Sequence, residues 1–168
     1  LLADYAPIAH RIAVGLVGHG SECFGFDDEL SRDHDFGPGF CIWLTDDDYA
    51  ALGKQMQADY ERLPPEFAGF PARRPGRRSG QRVGVFGISA FYREFLGAAE
   101  LPQSEADWLQ IPEPLLACAT NGEVFSDPAG EFSRIRAALA AYYPDGILRR
   151  KLAQAVARMA QSGQYNLP

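Results

Sequence analysis

Several things are scarce in this chain, and each scarcity removes a class of protein. There is no basic surplus: 22 acidic residues face 16 basic ones, for a net charge of −6. That argues against bulk nucleic-acid binding through the acidic part of the surface. No stretch approaches the roughly 20 apolar residues of a membrane span. The start Leu1-Leu2-Ala3-Asp4 lacks the cationic region of a secretory leader. Cysteine is limited to Cys23, Cys41 and Cys118, an odd number at long spacings. That fits neither a disulfide framework nor a zinc ligand set, so buried thiols in a reducing, cytoplasmic compartment are expected. Twelve prolines and 17 glycines are too few for a disordered or collagen-like chain. Only Lys54 and Lys151 are lysines. The arginine dominance reads first as a genomic composition bias and second as anion recognition. An initiating methionine is also missing, and the chain stops at Leu167-Pro168, the pattern of a trimmed sequence.

What remains is a chain of 168 residues, 46% hydrophobic, long enough for one compact domain or one domain with a small helical annex. Its acidity is local: residues 1–66 hold 13 acids against four bases, whereas the remainder holds nine acids against 12 bases. An acidic half of this kind is compatible with a cation site.

Ile8, Ile12 and Leu16 recur every four residues and predict an amphipathic helix over 3–17. Gly18-His19-Gly20-Ser21 then permits a sharp turn and close backbone approach to a ligand. The run Phe40-Cys41-Ile42-Trp43-Leu44 is the strongest strand signal, with Gly37-Pro38-Gly39 as a bulge or break before it. Thr45 or one of Asp46, Asp47 and Asp48 caps a helix from Tyr49 to about Arg62, which accounts for that acidic run without any function. Pro64-Pro65 ends this helix, and 66–81 reads as a basic loop carrying Arg73, Arg74, Arg77 and Arg78. A strand over 82–88 and a short helix over 90–96 follow.

Composition shifts near Pro102. Beyond it only helices and turns are expected, at about 112–119, 130–142 and 144–162. Pro112 and Pro144 stand in first turns, Asn121-Gly122 forms a turn and Gly163 acts as a stop. In the last helix Ile147, Leu148, Leu152, Val156 and Met159 would face inward and Arg149-Arg150-Lys151 outward. Trp108, Tyr142 and Tyr143 would pack between the two parts. The expected fold is thus α/β (α+β): a small mixed sheet flanked by helices over 1–101, followed by a helical C-terminal part over 102–168.

The densest chemical signal is Gly20-Ser21, eleven intervening residues, then Asp33-His34-Asp35-Phe36. Side chains two apart on a strand project to one face, so Asp33 and Asp35 would converge while His34 points away. Two carboxylates aimed at one point repel unless a cation or a proton joins them. Mg²⁺, which takes hard oxygen ligands and substrate phosphates, is one solution. A glycine turn opening a helix offers N–H groups and a hydroxyl to a phosphate.

This combination resembles the signature of the nucleotidyltransferase superfamily with the DNA polymerase β-type fold. The run from Gly20 to Pro38 is more similar to one bacterial domain-of-unknown-function family within it. So are Ile111-Pro112-Glu113, Ala119-Thr120-Asn121-Gly122-Glu123-Val124-Phe125, Tyr143-Pro144-Asp145 and Gln164-Tyr165-Asn166. The resemblance implies transfer of a nucleoside monophosphate from a nucleoside triphosphate to an acceptor: a small molecule, RNA or a protein. It implies Gly20 and Ser21 on the triphosphate, and Asp33 and Asp35 as catalytic ligands of Mg²⁺ or Mn²⁺.

Two departures accompany the match. Members of the superfamily usually add a third carboxylate on a later strand, yet Arg82-Val83-Gly84-Val85-Phe86-Gly87-Ile88-Ser89 contains no acid. Either Glu94 reaches in, or Ser89 stands where an acid would be, or the strand lies elsewhere. His19 also occupies a position that is usually apolar. A catalytically silent nucleotide-binding or regulatory module is therefore the alternative expectation.

Overall fold

The computed structural model describes residues 1–26, 37–71, 81–98, 100–141, 143 and 145–165. The chain opens with a 3-10 helical segment, Leu2–Arg11, and strand β1, Ala13–Leu16. Helix α1, Ser21–Phe24, is a single turn; β2, Cys41–Leu44, leads into α2, Asp46–Tyr60. A short hairpin, β3 (Glu66–Phe67) and β4 (Phe70–Pro71), precedes β5, Gly84–Gly87, and α3, Ile88–Leu96. Then come α4, Glu105–Gln110, α5, Glu113–Thr120, β6, Glu123–Ser126, α6, Glu131–Ala140, and α7, Asp145–Tyr165.

The main sheet has the order β5-β2-β1-β6. Strand β1 is antiparallel to both β2 and β6, while β2 and β5 are parallel, so the sheet is mixed and helices cover both faces. This is the expected α/β architecture. All four residues of β2 are fully buried. Alternation sends Cys41 and Trp43 to a core shared with α3, α5 and α6, and Ile42 and Leu44 to one shared with α2 and Tyr5. A strand buried on both faces reads as a continuous apolar run, which is why this one was visible in sequence. Trp43 stacks on Phe132 at 3.9 Å between ring centroids and meets Phe91 edge-on at 5.3 Å. Truncating a buried aromatic of this kind to alanine costs about 3–5 kcal/mol.

The capping expectation for α2 is met by Thr45, whose hydroxyl accepts from the Asp48 N–H at 3.2 Å. All three cysteines are buried, as expected.

Four expectations are corrected. The helix over 3–17 stops at Ile12, which is extended, and 13–16 form β1. The fourfold apolar spacing ran across the boundary, and a strand of four residues is too short to display its own period. The C-terminal part is not purely helical, because β6 crosses back to pair with β1, and α4 was also missed. Gly163 does not stop the last helix, which continues to Tyr165. The outward and inward faces of α7 are partly exchanged. Lys151 is 4% exposed, whereas Leu148, Leu152, Val156 and Met159 are all exposed, leaving Ile147 as the inward apolar anchor. Trp108 and Tyr143 do pack edge-to-face, at 5.5 Å; Tyr142 and Pro144 lie outside the described residues. One core cluster takes side chains from both sides of residue 101, among them Trp43, Phe91, Leu116 and Phe132. No helix among the described residues is long and apolar enough to cross a membrane.

Candidate functional site

Strand β1 ends in a turn that only glycine makes cheaply: Gly18 has φ +128° and Gly20 φ +132°, with His19 between them. Ser21 follows as the first residue of α1. The turn is held from the C-terminal part of the chain. The Asn121 side chain accepts from Gly18 N–H at 2.9 Å and donates to Gly18 C=O at 2.8 Å. Gly122 N–H donates to Cys23 C=O at 2.8 Å. Arg136 of α6 donates through Nη2 to the carbonyls of Asn121 and Gly122, at 3.1 and 2.9 Å. Three elements thus fix one turn, and the support starts at a charged donor, the stronger kind of hydrogen bond.

His19, half-exposed, has neighbours on two helices. Its Nδ1 lies 3.6 Å from Cys118 Sγ on α5, its Nε2 lies 3.7 Å from Glu94 Oε1 on α3, and its ring tilts against Phe95 at 5.1 Å. Burial pushes the Cys118 thiol up, and the Glu94 charge adds to it. On the other side of the turn the Glu22 carboxyl is close enough to Gly20 to meet any added Cβ.

The sheet register says which predicted residues share this edge. Gly15 faces Cys41 in β1–β2, so the chain enters β2 beside the glycine turn, and parallel β5 also begins there. Leu44 pairs with Gly87 at the far end, so Ser89 is remote: its N–H donates to Asp46 Oδ1 at 3.2 Å. Four residues of strand, at about 3.3 Å each, separate the two ends. Ser89 therefore does not share the sheet edge of the glycine turn. Helix α3 starts at the far end and runs back, which delivers Glu94 to His19.

Gly20, Ser21 and Glu94 are thus gathered around His19. Asp33 and Asp35 lie outside the described residues, as do Asp27, Asp28, Glu29, His34, Arg73, Arg74, Arg77 and Arg78. Among the described residues no three His, Cys, Asp or Glu side chains converge as a metal site. Sequence reading missed Cys118, Asn121 and Arg136. Asn121-Gly122 gave a turn signal, but nothing local announces a partner more than a hundred residues away. A cavity of about 460 Å³ opens on the other side of Glu94, lined also by Leu101, Gln103, Gln110, Ile111 and Leu115.

No curated protein and no solved structure matches this chain. The family model described as "Domain of unknown function (DUF4037)" matches residues 108–168, which hold Cys118, Asn121 and Arg136 but not Gly20-Ser21.

Proposed function

We propose that this protein is a metal-dependent nucleotidyltransferase that moves a nucleoside monophosphate from a nucleoside triphosphate to an acceptor. The observation that carries the reading is the run Gly20-Ser21, eleven residues, Asp33-His34-Asp35. Its first half forms a braced positive-φ turn at the sheet edge where the chain enters β2. In this reading Ser21 and the turn's N–H groups bind phosphate, and Asp33 and Asp35 hold Mg²⁺ or Mn²⁺. The ions would neutralise triphosphate charge and stabilise the leaving pyrophosphate. Glu94 is the candidate third acid, reaching the same edge from α3. The acceptor is a small molecule, an RNA or a protein.

The test is thermal denaturation with Mg²⁺ and each nucleoside triphosphate. Binding to the folded state alone raises the melting temperature. The gain is expected to vanish in Asp35→Asn, and no response to any triphosphate with either ion would reject the reading.

A second reading, a catalytically silent nucleotide-binding or regulatory module, is favoured by two observations. Strand β5 is Gly84-Val85-Phe86-Gly87, without an acid, and Glu94 is engaged with His19. It expects binding without pyrophosphate release across acceptor panels. Release that disappears in Asp33→Ala would eliminate it.

A further inference from the structure

We propose that Phe26, backed by Phe24, is the platform on which the base of a bound nucleotide stacks. The inference rests on the proposed nucleotidyltransferase reading and adds a base-binding residue to it. Large apolar side chains are normally withdrawn from water, yet Phe26 is 73% exposed and Phe24 36% exposed. Their rings are 9° from parallel, with centroids 5.8 Å apart. That is an offset stack of two rings, with no room for a third between them. Phe24 therefore backs one face of Phe26, and the other face is open to a flat ligand.

The local chain puts this open ring beside the glycine turn. Helix α1, a single turn from Ser21, buries Cys23 and leaves Phe24 at the surface. Gly25, at φ +69°, then reverses the chain, and the Phe26 N–H donates to the Ser21 C=O at 3.0 Å. The backbone carrying the outer ring is thus tied to the residue that holds phosphate in the proposed reading, about one helical turn of 5.4 Å along α1. That is the scale of the ribose between a nucleotide's phosphate and its base. A Cβ on Gly25 meets nothing within 4 Å beyond its chain neighbours, so the space beside the pair is open. Every base has a π-face, so such a platform accepts all four and prefers the larger purines, by stacking strength rather than by hydrogen-bond readout.

The test compares ATP with inorganic tripolyphosphate, which has a phosphate chain and no base, each titrated calorimetrically with Mg²⁺ into the full chain. The unaltered protein is expected to bind ATP more tightly than tripolyphosphate, and more tightly than UTP. Phe26→Ala should weaken ATP binding about 10-fold, within the range of one lost base–aromatic stack, and leave tripolyphosphate binding unchanged. Phe26→Trp should retain full ATP affinity, and Phe24→Ala should lose less than Phe26→Ala because it removes the backing and not the stacked face. Phe67→Ala, which alters an equally exposed phenylalanine on the β3–β4 hairpin, is the control and should change neither affinity. Unaltered ATP affinity in Phe26→Ala, or an equal loss for ATP and tripolyphosphate, would overturn the platform and leave the transfer reading standing. Failure of the unaltered protein to bind either compound, or any other nucleoside triphosphate, would overturn both.

Discussion

Asn121 satisfies both hydrogen-bonding groups of Gly18, accepting from its N–H at 2.9 Å and donating to its C=O at 2.8 Å across 103 residues of chain. One side chain thereby replaces the ladder partners that Gly18 lost when β1 ended. Asn121→Ala should destabilise the fold by about 1–3 kcal/mol, the cost of leaving partly buried polar groups unpaired. Asn121→Asp should not rescue it, since a carboxylate cannot donate to the Gly18 carbonyl. Urea denaturation of the three proteins measures both effects, and equal midpoints for wild type and Asn121→Ala would contradict the clamp.

Gly122 has φ +64°, and a Cβ there would press on the Leu16 carbonyl and lie 3.1 Å from Val17 Cα. Gly122→Ala should therefore cost about 3 kcal/mol or more, combining left-handed backbone strain with collision against main chain that cannot rotate away. Asparagine tolerates the dihedral but still carries the Cβ. If Gly122→Asn proved as stable as wild type in the same denaturation experiment, backbone conformation alone would be the requirement.

The Arg11 guanidinium grips Asp48 with two bonds of 2.8 Å and, with help from the Thr45 hydroxyl, holds its carboxyl below the usual carboxylate range. A lowered folded value means stabilisation that is complete above the unfolded value of about 4 and lost as the pH falls through the folded one. Asp48→Asn should be less stable than wild type at neutral pH, with the gap closing in strongly acidic solution. Denaturation midpoints across that range check the sign, and a gap independent of pH would rule out the ion pair as its source.

Lys151 is almost wholly buried. Its ammonium donates to the Ile111 carbonyl, lies 3.5 Å from Glu113 and sits 5.0 Å from the centre of the Tyr143 ring. Lys151→Met keeps the bulk but strands that carbonyl, so a loss of about 1–3 kcal/mol is expected in chemical denaturation. Glu113 is 40% exposed and can turn to water, so Glu113→Gln should cost less. A Lys151→Met variant as stable as wild type would mean that desolvating the ammonium cancels its contacts.

Legibility in the sequence followed the locality of the interactions. Strand β2 announced itself by its apolar run, α2 by Thr45, and the Gly18–Ser21 turn by its glycines, because each signal lies within a few residues of what it specifies. Strand β6 left no such mark: Glu123, Phe125 and Ser126 are exposed, and the strand is held by its backbone pairing to β1. Gly15 shows how close that pairing is, since a Cβ on it would lie 2.9 Å from Val124 Cα. Lys151 looked like part of a charged face, and only the packing of α7 on α4 and α5 turns it inward. At the candidate site the residue types of Gly20, Ser21 and Glu94 were readable. Their convergence on His19 depended on where α3 and α5 come to rest.

The pairing of β1 with β6 also has a consequence in time. During synthesis, β1, β2 and β5 are available once residue 87 has emerged, but the neighbour that covers the outer edge of β1 begins only at residue 123. Until then the edge at Gly15 is open and the Gly18 peptide lacks the Asn121 carboxamide. The Gly18–Ser21 turn therefore matures late, after the segment matched by the unknown-function family has begun to fold onto it, and a nascent chain that has not reached that point has no finished turn.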